Sequence, residues 1–281
     1  MIKLCAFSDE ASADLFGQIK ALQRNKISYT ELRSIDAKNV ADFTECEAKE
    51  YGKILCDNGI SVWSIGSPLG KERIDVNFEK YLDKVRHVCT LSNLFGVERI
   101  RIFSFFEAYE NKEKVFAYLN KMVEVAKEYG VTLCHENEKE IYGDTLERVL
   151  EISKNVKGLG FVYDPANYVQ VGADMQKVLD AMHVRSTYFH IKDIISTTGE
   201  LVPAGYGDGK IKELIERIEI DTVLTIEPHL ALFDAYKGID NTEMKHKFKF
   251  ENNDEAFDAA VVALKRLLKD AGYREIGGDF K

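Results

Sequence analysis

The sequence predicts a single (β/α)8 barrel, and three observations favour this fold class. Short runs of β-forming residues alternate with longer segments of helical periodicity, which is typical of a parallel sheet. There are eight such runs, and eight βα units within roughly 250 residues close a barrel. No GxGxxG or Walker-type glycine motif follows the first run, so the usual signature of an open, doubly wound sheet is missing.

The predicted strands are short and rich in Val, Ile, Leu, Tyr and Phe. In chain order they are Lys3–Phe7, Tyr29–Leu32, Ser61–Ile65, Arg99–Phe103, Val131–His135, Gly160–Tyr163, Thr187–Ile191 and Thr222–Ile226. Nothing between them resembles a linker or a low-complexity tract. We therefore expect one domain that covers residues 1–281.

The segments between the strands carry apolar residues at the spacing of a helix face. Phe78–Phe95 and Lys114–Tyr129 are the clearest examples. Three predicted helices end at a glycine just before a strand, where a C-cap glycine is expected; these are Gly59, Gly96 and Gly130. The tail after Leu268 is predicted to be an appendage to the last helix.

Composition narrows the class of protein. The net charge of −9 over 281 residues removes the simplest electrostatic reason for binding nucleic acid. No stretch of eighteen apolar residues predicts a membrane span. The five cysteines are odd in number and lack CxxC spacing, which, with no signal-peptide pattern, indicates reduced thiols and a cytoplasmic location. The oligomeric state stays open, and a homo-oligomer is compatible with the sequence.

The last four predicted strands end in residues that can bind a metal. The fifth strand leads into Glu136, the sixth into Asp164 and the eighth into Glu227, and the seventh carries His190 near its end. Catalytic groups of a (β/α)8 barrel come from the carboxyl ends of the strands. We therefore expect all four side chains to point into one mouth of the barrel.

Three carboxylates and one imidazole indicate a site for one divalent metal ion. Hard oxygen ligands favour Mn²⁺ or Mg²⁺, and the imidazole makes Co²⁺ or Zn²⁺ compatible as well. Without an ion, carboxylates this close would repel each other, and one would need a strongly raised pKa. The simpler alternative is that each residue caps the helix after it, which suits one residue better than four successive strand ends.

Residues beside these four are candidates for supporting roles. Asp193 lies three residues after His190 and could accept the second ring N–H of the imidazole, which would orient the ring. It could equally begin the next loop. Asn167 follows Asp164 after a proline turn, and its amide could reach a substrate.

Two further positions leave alternatives open. Glu138 competes with Glu136 as the first carboxylate ligand, because side chains two residues apart on a strand point the same way. We expect Glu136 to be the ligand and Glu138 to lie in the loop. Arg33 and Glu31, at the end of the second strand, could contact sugar hydroxyls or form structural ion pairs.

The loop after the seventh strand is rich in glycine. Barrels often hold a phosphate at this place, and backbone N–H groups at Gly205 and Gly207, with Lys192 or Lys210, could cradle an anion. The alternative is an ordinary loop beside an unphosphorylated substrate.

At these residues the chain resembles the sugar phosphate isomerase/epimerase family of xylose isomerase-like TIM barrels. That group includes tagatose/psicose 3-epimerases, hydroxypyruvate isomerases and the fold-related endonuclease IV enzymes. The segments that carry the resemblance are Tyr29–Arg33, His135–Glu138, Tyr163–Asn167, His190–Asp193, Pro203–Gly207 and Ile226–His229. The resemblance implies one divalent ion held by Glu136, Asp164, His190 and Glu227, with a small carbohydrate as substrate.

Isomerisation and epimerisation beside a carbonyl both begin with removal of a C–H proton. We expect the ion to bind the carbonyl and adjacent hydroxyl oxygens of the substrate and to stabilise an ene-diolate. The resemblance implies that Glu136 and Glu227 act as the acid/base pair that removes and returns the proton.

Three other functions compete with this prediction. A dehydratase of the inosose or dehydroshikimate type could use the same ligands. A nuclease like endonuclease IV would need extra histidines to bind more metal ions. The third and fourth strands end near Gly66 and Ser104 instead, and Asn167 and Lys210 occupy two further positions where that enzyme would need ligands. A non-catalytic sugar binder would need no acid/base pair.

Overall fold

A computed structural model describes residues 1–231, 245–246 and 248–281. Within this part of the chain, eight parallel strands form the central sheet. They are β1 (Ile2–Ala6), β2 (Tyr29–Leu32), β3 (Ser61–Gly66), β4 (Arg99–Ile102), β5 (Thr132–Glu136), β6 (Gly160–Tyr163), β7 (Tyr188–Ile191) and β8 (Thr222–Ile226). Each coincides with a predicted strand to within one residue at either end.

The sheet closes on itself, which confirms the predicted barrel. Neighbouring strands pair in chain order, and β8 pairs in parallel with β1 from Ile2 opposite Thr222 to Ala6 opposite Ile226. Because all eight strands run the same way, their carboxyl ends share one mouth of the barrel.

Helices surround the barrel and bury their apolar faces against it. They are α1 (Leu15–Arg24), α2 (Glu45–Asp57), α3 (Phe78–Leu94), α4 (Lys112–Glu128), α5 (Leu146–Asn155), α6 (Pro165–Gln170), α7 (Met175–Met182), α8 (Ile211–Glu216) and α9 (Asn253–Asp270). The predicted C-cap glycines Gly59, Gly96 and Gly130 all have positive φ, between 69° and 75°. None of these described helices is long and apolar enough to cross a membrane.

The inside of the barrel holds its own small apolar cluster. Cys5, Cys134, Val162, Tyr188 and Val223 pack together there and are all buried. The five cysteines form no disulfide, and burial raises the pKa of the Cys134 thiol to about 12. This filled layer separates the two mouths of the barrel.

The carboxyl-terminal tail is more than an appendage to the last helix, so that prediction was wrong. Glu275–Ile276 and Asp279–Phe280 form an antiparallel hairpin, and Phe280 pairs with Ile2 of β1. Gly278 turns the hairpin with φ +97°, and a Cβ there would lie 2.4 Å from the carbonyl oxygen of Lys26. The buried Phe280 ring fixes the tail on the barrel.

Candidate metal centre

The four predicted residues meet at the carboxyl-terminal mouth of the barrel. Glu136 ends β5, Asp164 follows β6, His190 lies in β7 and Glu227 follows β8. Each offers one ligand atom, and these four atoms all lie within 4.8 Å of one another. All four side chains are buried. We call this group the carboxylate–histidine cluster.

The two glutamates of the cluster are held in the same way. Glu136 places Oε2 at 2.7 Å from Arg101 Nη1 and Oε1 at 2.9 Å from His190 Nδ1. Glu227 places Oε1 at 3.1 Å from Arg33 Nη1 and Oε2 at 2.9 Å from the same His190 Nδ1. Each carboxylate thus has one oxygen held by an arginine and the other directed into the cluster.

The two carboxylate oxygens of Asp164 have different roles, one in capping a helix and one in the cluster. Oδ1 accepts the backbone N–H of Asn167 at 3.1 Å and so caps α6, which begins with Pro165. Oδ2 lies 2.7 Å from Lys192 Nζ. The helix-cap alternative is therefore true of Asp164, and it leaves the second oxygen available to the cluster.

The charges in the cluster set its protonation. Burial raises the pKa of Asp164 to about 7, more than the nearby Lys192 lowers it. Burial also acts to raise the pKa of Glu136, but His190 and Arg101 outweigh it and lower that pKa to about 2. Burial acts to lower the pKa of His190, and the surrounding carboxylates Glu136, Glu31 and Glu227 hold it well above its ordinary value.

The residues present fit a divalent cation. Asp164 Oδ2 and Glu227 Oε2 are buried and receive no well-aligned hydrogen bond within the described residues, although Lys192 and His190 lie at 2.7 Å and 2.9 Å. Buried carboxylate oxygens are unfavourable without a full set of partners. Three carboxylates and a ring nitrogen around one point are ligands for Mg²⁺, Mn²⁺ or Zn²⁺.

Glu31, and not Asp193, orients the imidazole of His190. Glu31 Oε2 lies 3.1 Å from His190 Nε2, and the carboxylate also accepts hydrogen bonds from Tyr188 Oη at 2.8 Å and Thr225 Oγ1 at 3.1 Å. A carboxylate on the far nitrogen leaves Nδ1 directed at the cluster. The predicted role of Asp193 was wrong because its carboxylate turns toward the following loop.

We expect Glu31→Gln to weaken metal binding by about 10- to 100-fold, because the amide no longer fixes the ring tautomer of His190. Isothermal titration with Mn²⁺ measures this affinity. Glu138→Gln is the matched control, since Glu138 pairs with Lys71 at 3.1 Å outside the cluster, and its affinity should not change. A folded Glu31→Gln protein with unaltered affinity would contradict the assignment.

Asp193 organises the glycine-rich loop after β7. Its carboxylate accepts the backbone N–H groups of Gly205 at 2.9 Å, Gly207 at 3.0 Å and Gly209 at 2.9 Å. Of the two alternatives for this loop, the phosphate cradle at Gly205 and Gly207 is therefore not supported, since Asp193 already takes these donors. Lys192, the predicted cation beside them, pairs with Asp164 instead.

Asp193→Asn is expected to destabilise the protein by about 2–4 kcal/mol. An amide has one acceptor oxygen, so at least one loop N–H loses a charged acceptor, and hydrogen bonds to charged groups are worth about 1.5–3 kcal/mol each. Urea unfolding at neutral pH measures the loss. Asp208→Asn is the comparison, because within the described residues the exposed Asp208 carboxylate accepts hydrogen bonds from Ser196 alone. Equal losses in both variants would refute this account.

Arg33 forms structural ion pairs, which the sequence left open as one of two alternatives. Its guanidinium contacts Asp9 through two hydrogen bonds of 2.8 Å, Glu10 at 3.3 Å and Glu227 at 3.1 Å. Burial raises the pKa of Glu10 to about 8, although Arg33 lowers it. Asp9 and Glu10 were missed, yet they lie only three and four residues after β1, so the strand-end rule could have found them.

The other predicted residues have mixed outcomes. Asn167 is buried and donates its amide to the carbonyl oxygen of Asn137 at 2.9 Å, so it supports the fold and does not face a substrate. Glu138 lies in the loop as expected and lines a cavity beside the cluster with Lys71 and Arg101.

Fold and site together define a (β/α)8 barrel with one carboxylate–histidine cluster that could hold a divalent metal ion. The chain belongs to the xylose isomerase-like TIM barrel family, whose model matches residues 19–249. No curated protein matches the sequence.

Solved structures share the whole fold at low sequence identity. The IolI protein with a bound zinc atom has a TM-score of 0.72 at 16% identity, covering 96% of this chain and 99% of that one. A D-psicose 3-epimerase crystallised with D-fructose has a TM-score of 0.72 at 14% identity, with 96% and 99% covered. A probable 3-DHS dehydratase, AsbF from Bacillus anthracis, has 0.71 at 18% identity, with 94% and 99% covered. At these identities the likeness concerns the fold alone.

Proposed function

We propose that this protein is a metal-dependent isomerase or epimerase of a small carbohydrate. One observation supports the proposal above the others. Glu136 and Glu227 come from different sides of the barrel mouth, and each presents one carboxylate oxygen to the same point while an arginine holds the other. Two carboxylates placed in this way can remove a proton from the substrate and return it to a different face or carbon.

The residues of the chain have distinct tasks in this mechanism. The bound ion supplies a Lewis acid for the oxygens of the substrate. Glu136 and Glu227 move the proton, and both are ionised at neutral pH because nearby cations lower their pKa values. Arg101 and Arg33 each hold one oxygen of a carboxylate and so fix its direction, on which proton transfer depends.

Turnover of a panel of ketoses and aldoses, with and without added Mn²⁺, tests the proposal. We expect metal-stimulated exchange of a substrate hydrogen with solvent, measured by NMR in D₂O. This readout does not require the correct sugar product to be known in advance. Absence of exchange with every substrate and every metal would favour a non-catalytic sugar binder.

A dehydratase is the second candidate, since the same ligands could assist loss of a hydroxyl group. The same incubations distinguish it, because a dehydratase releases water and gives an unsaturated product with new ultraviolet absorption. A nuclease is not proposed: among the described residues, the other candidate ligand group is Glu10, Glu227 and His229, and the Arg33 guanidinium already contacts two of its carboxylates.

A further inference from the structure

A second cavity opens at the amino-terminal mouth of the barrel, at the opposite end from the carboxylate–histidine cluster. Its volume is about 280 Å³. The side chains that line it come from the first residues of several strands, and those that matter here are Lys3, Trp63, Arg99, Asp221, Thr222 and Val223. This size is just below the usual range for drug-sized ligands and suits a small molecule. Nothing in the proposed reaction uses this cavity.

Arg99 places an uncompensated positive charge in the cavity wall. Its guanidinium lies 4.3 Å from the centre of the Trp63 ring. Within the described residues it forms no ion pair and no side-chain hydrogen bond. Stacking on an aromatic ring fixes the plane of the guanidinium and leaves its N–H edge directed outward. The group is therefore preorganised to receive a planar anion.

The polar groups that the wall exposes to a ligand at Arg99 are donors. The guanidinium of Arg99 carries N–H donors and no acceptor. Trp63 Nε1 and Thr222 Oγ1 have no hydrogen bond within the described residues, but both atoms are fully buried and are not exposed to the cavity. The wall therefore offers the donors of Arg99 to an acceptor-rich ligand.

The other charged groups in the wall already have polar partners. Lys3 Nζ donates to Tyr29 Oη at 2.9 Å. Asp221 is exposed and lies 2.6 Å from the amino group of Met1, so its carboxylate is compensated and does not oppose an anion at Arg99. The remaining surface includes the Trp63 ring and Val223, which are apolar.

We propose that this cavity binds a small organic carboxylate with a flat apolar body. The carboxylate would pair with the fork of the Arg99 guanidinium. Bidentate arginine–carboxylate contacts are among the stronger hydrogen bonds in proteins. The body would pack on Trp63 and Val223, where burial of apolar surface adds to affinity.

The single tryptophan of the chain makes the test direct, because Trp63 is the only one. Benzoate is the probe, and its binding is followed by Trp63 fluorescence and by titration calorimetry on the full chain. We expect saturable binding of benzoate. Two control ligands should bind at least tenfold more weakly than benzoate. Benzyl alcohol has the aromatic ring without the negative charge, and inorganic phosphate has negative charge without the ring.

Variants separate the cavity from general effects. Arg99→Gln should weaken benzoate binding tenfold or more. Arg24→Gln, an exposed arginine that pairs with Asp254 and Asp258, and Glu227→Gln at the opposite mouth should both leave benzoate affinity unchanged.

Three results would overturn the proposal. The first is no saturable benzoate binding at millimolar concentration by either method. The second is equal affinity in wild-type protein and in folded Arg99→Gln. The third is equal binding of benzoate and phosphate, which would indicate general anion attraction and no site for an organic body.

Discussion

Replacing Glu227 by glutamine is expected to reduce metal-dependent hydrogen exchange by a factor of about 10²–10⁴, the usual contribution of a general acid or base. The amide cannot accept the proton, and it presents a weaker ligand to the ion. The oxygen held by Arg33 at 3.1 Å can be kept by the glutamine carbonyl, so the fold should persist. Exchange in D₂O and Mn²⁺ titration measure the two losses separately.

Glu138→Gln is the matched control for this prediction. Glu138 is a neighbouring carboxylate at the same mouth, but it pairs with Lys71 and does not belong to the cluster. Its exchange rate should stay within a few-fold of wild type. Near-normal exchange in Glu227→Gln would remove Glu227 from the proton transfer, whatever the effect on the metal.

Arg33→Met is expected to lower the free energy of unfolding by about 3–5 kcal/mol, the usual cost of breaking a buried ion pair from one side. The change leaves Asp9, Glu10 and Glu227 without their shared cation. Methionine keeps much of the side-chain volume that packs on Phe7, where the guanidinium lies 4.3 Å from the ring. Urea unfolding at neutral pH measures the difference.

Arg24→Met controls for loss of an arginine with two acidic partners. Arg24 contacts Asp254 and Asp258, but its side chain is 41% exposed, so we expect a loss of no more than about 1 kcal/mol. Adding Asp9→Asn to Arg33→Met should recover part of the stability by removing one buried charge. Similar losses at positions 24 and 33, or no recovery in the double variant, would contradict the proposed charge balance.

The sequence was sufficient for the barrel and for the four members of the cluster. Hydrophobic strand runs separated by amphipathic helices leave few alternatives, because parallel strands need crossover helices and eight of them close without an edge. A polar residue at the carboxyl end of such a strand must face the mouth. Glu136, Asp164, His190 and Glu227 could be read from that rule because their positions depend on local strand structure.

The partners of these residues depended on the tertiary structure. Asp193 is near His190 in sequence, yet the carboxylate that contacts the His190 ring belongs to Glu31, 159 residues away. The Asp193 carboxylate instead accepts hydrogen bonds from three glycine N–H groups.

Strand position determines which mouth a side chain faces, and the sequence by itself determined that for this protein. Which neighbour a side chain binds depends on how the barrel closes. Buried charged groups then compete for partners, and the arrangement that leaves the fewest of them unpaired is favoured. Only the folded chain decides that, because the competing groups come from β1, β2, β4, β5, β7 and β8 together.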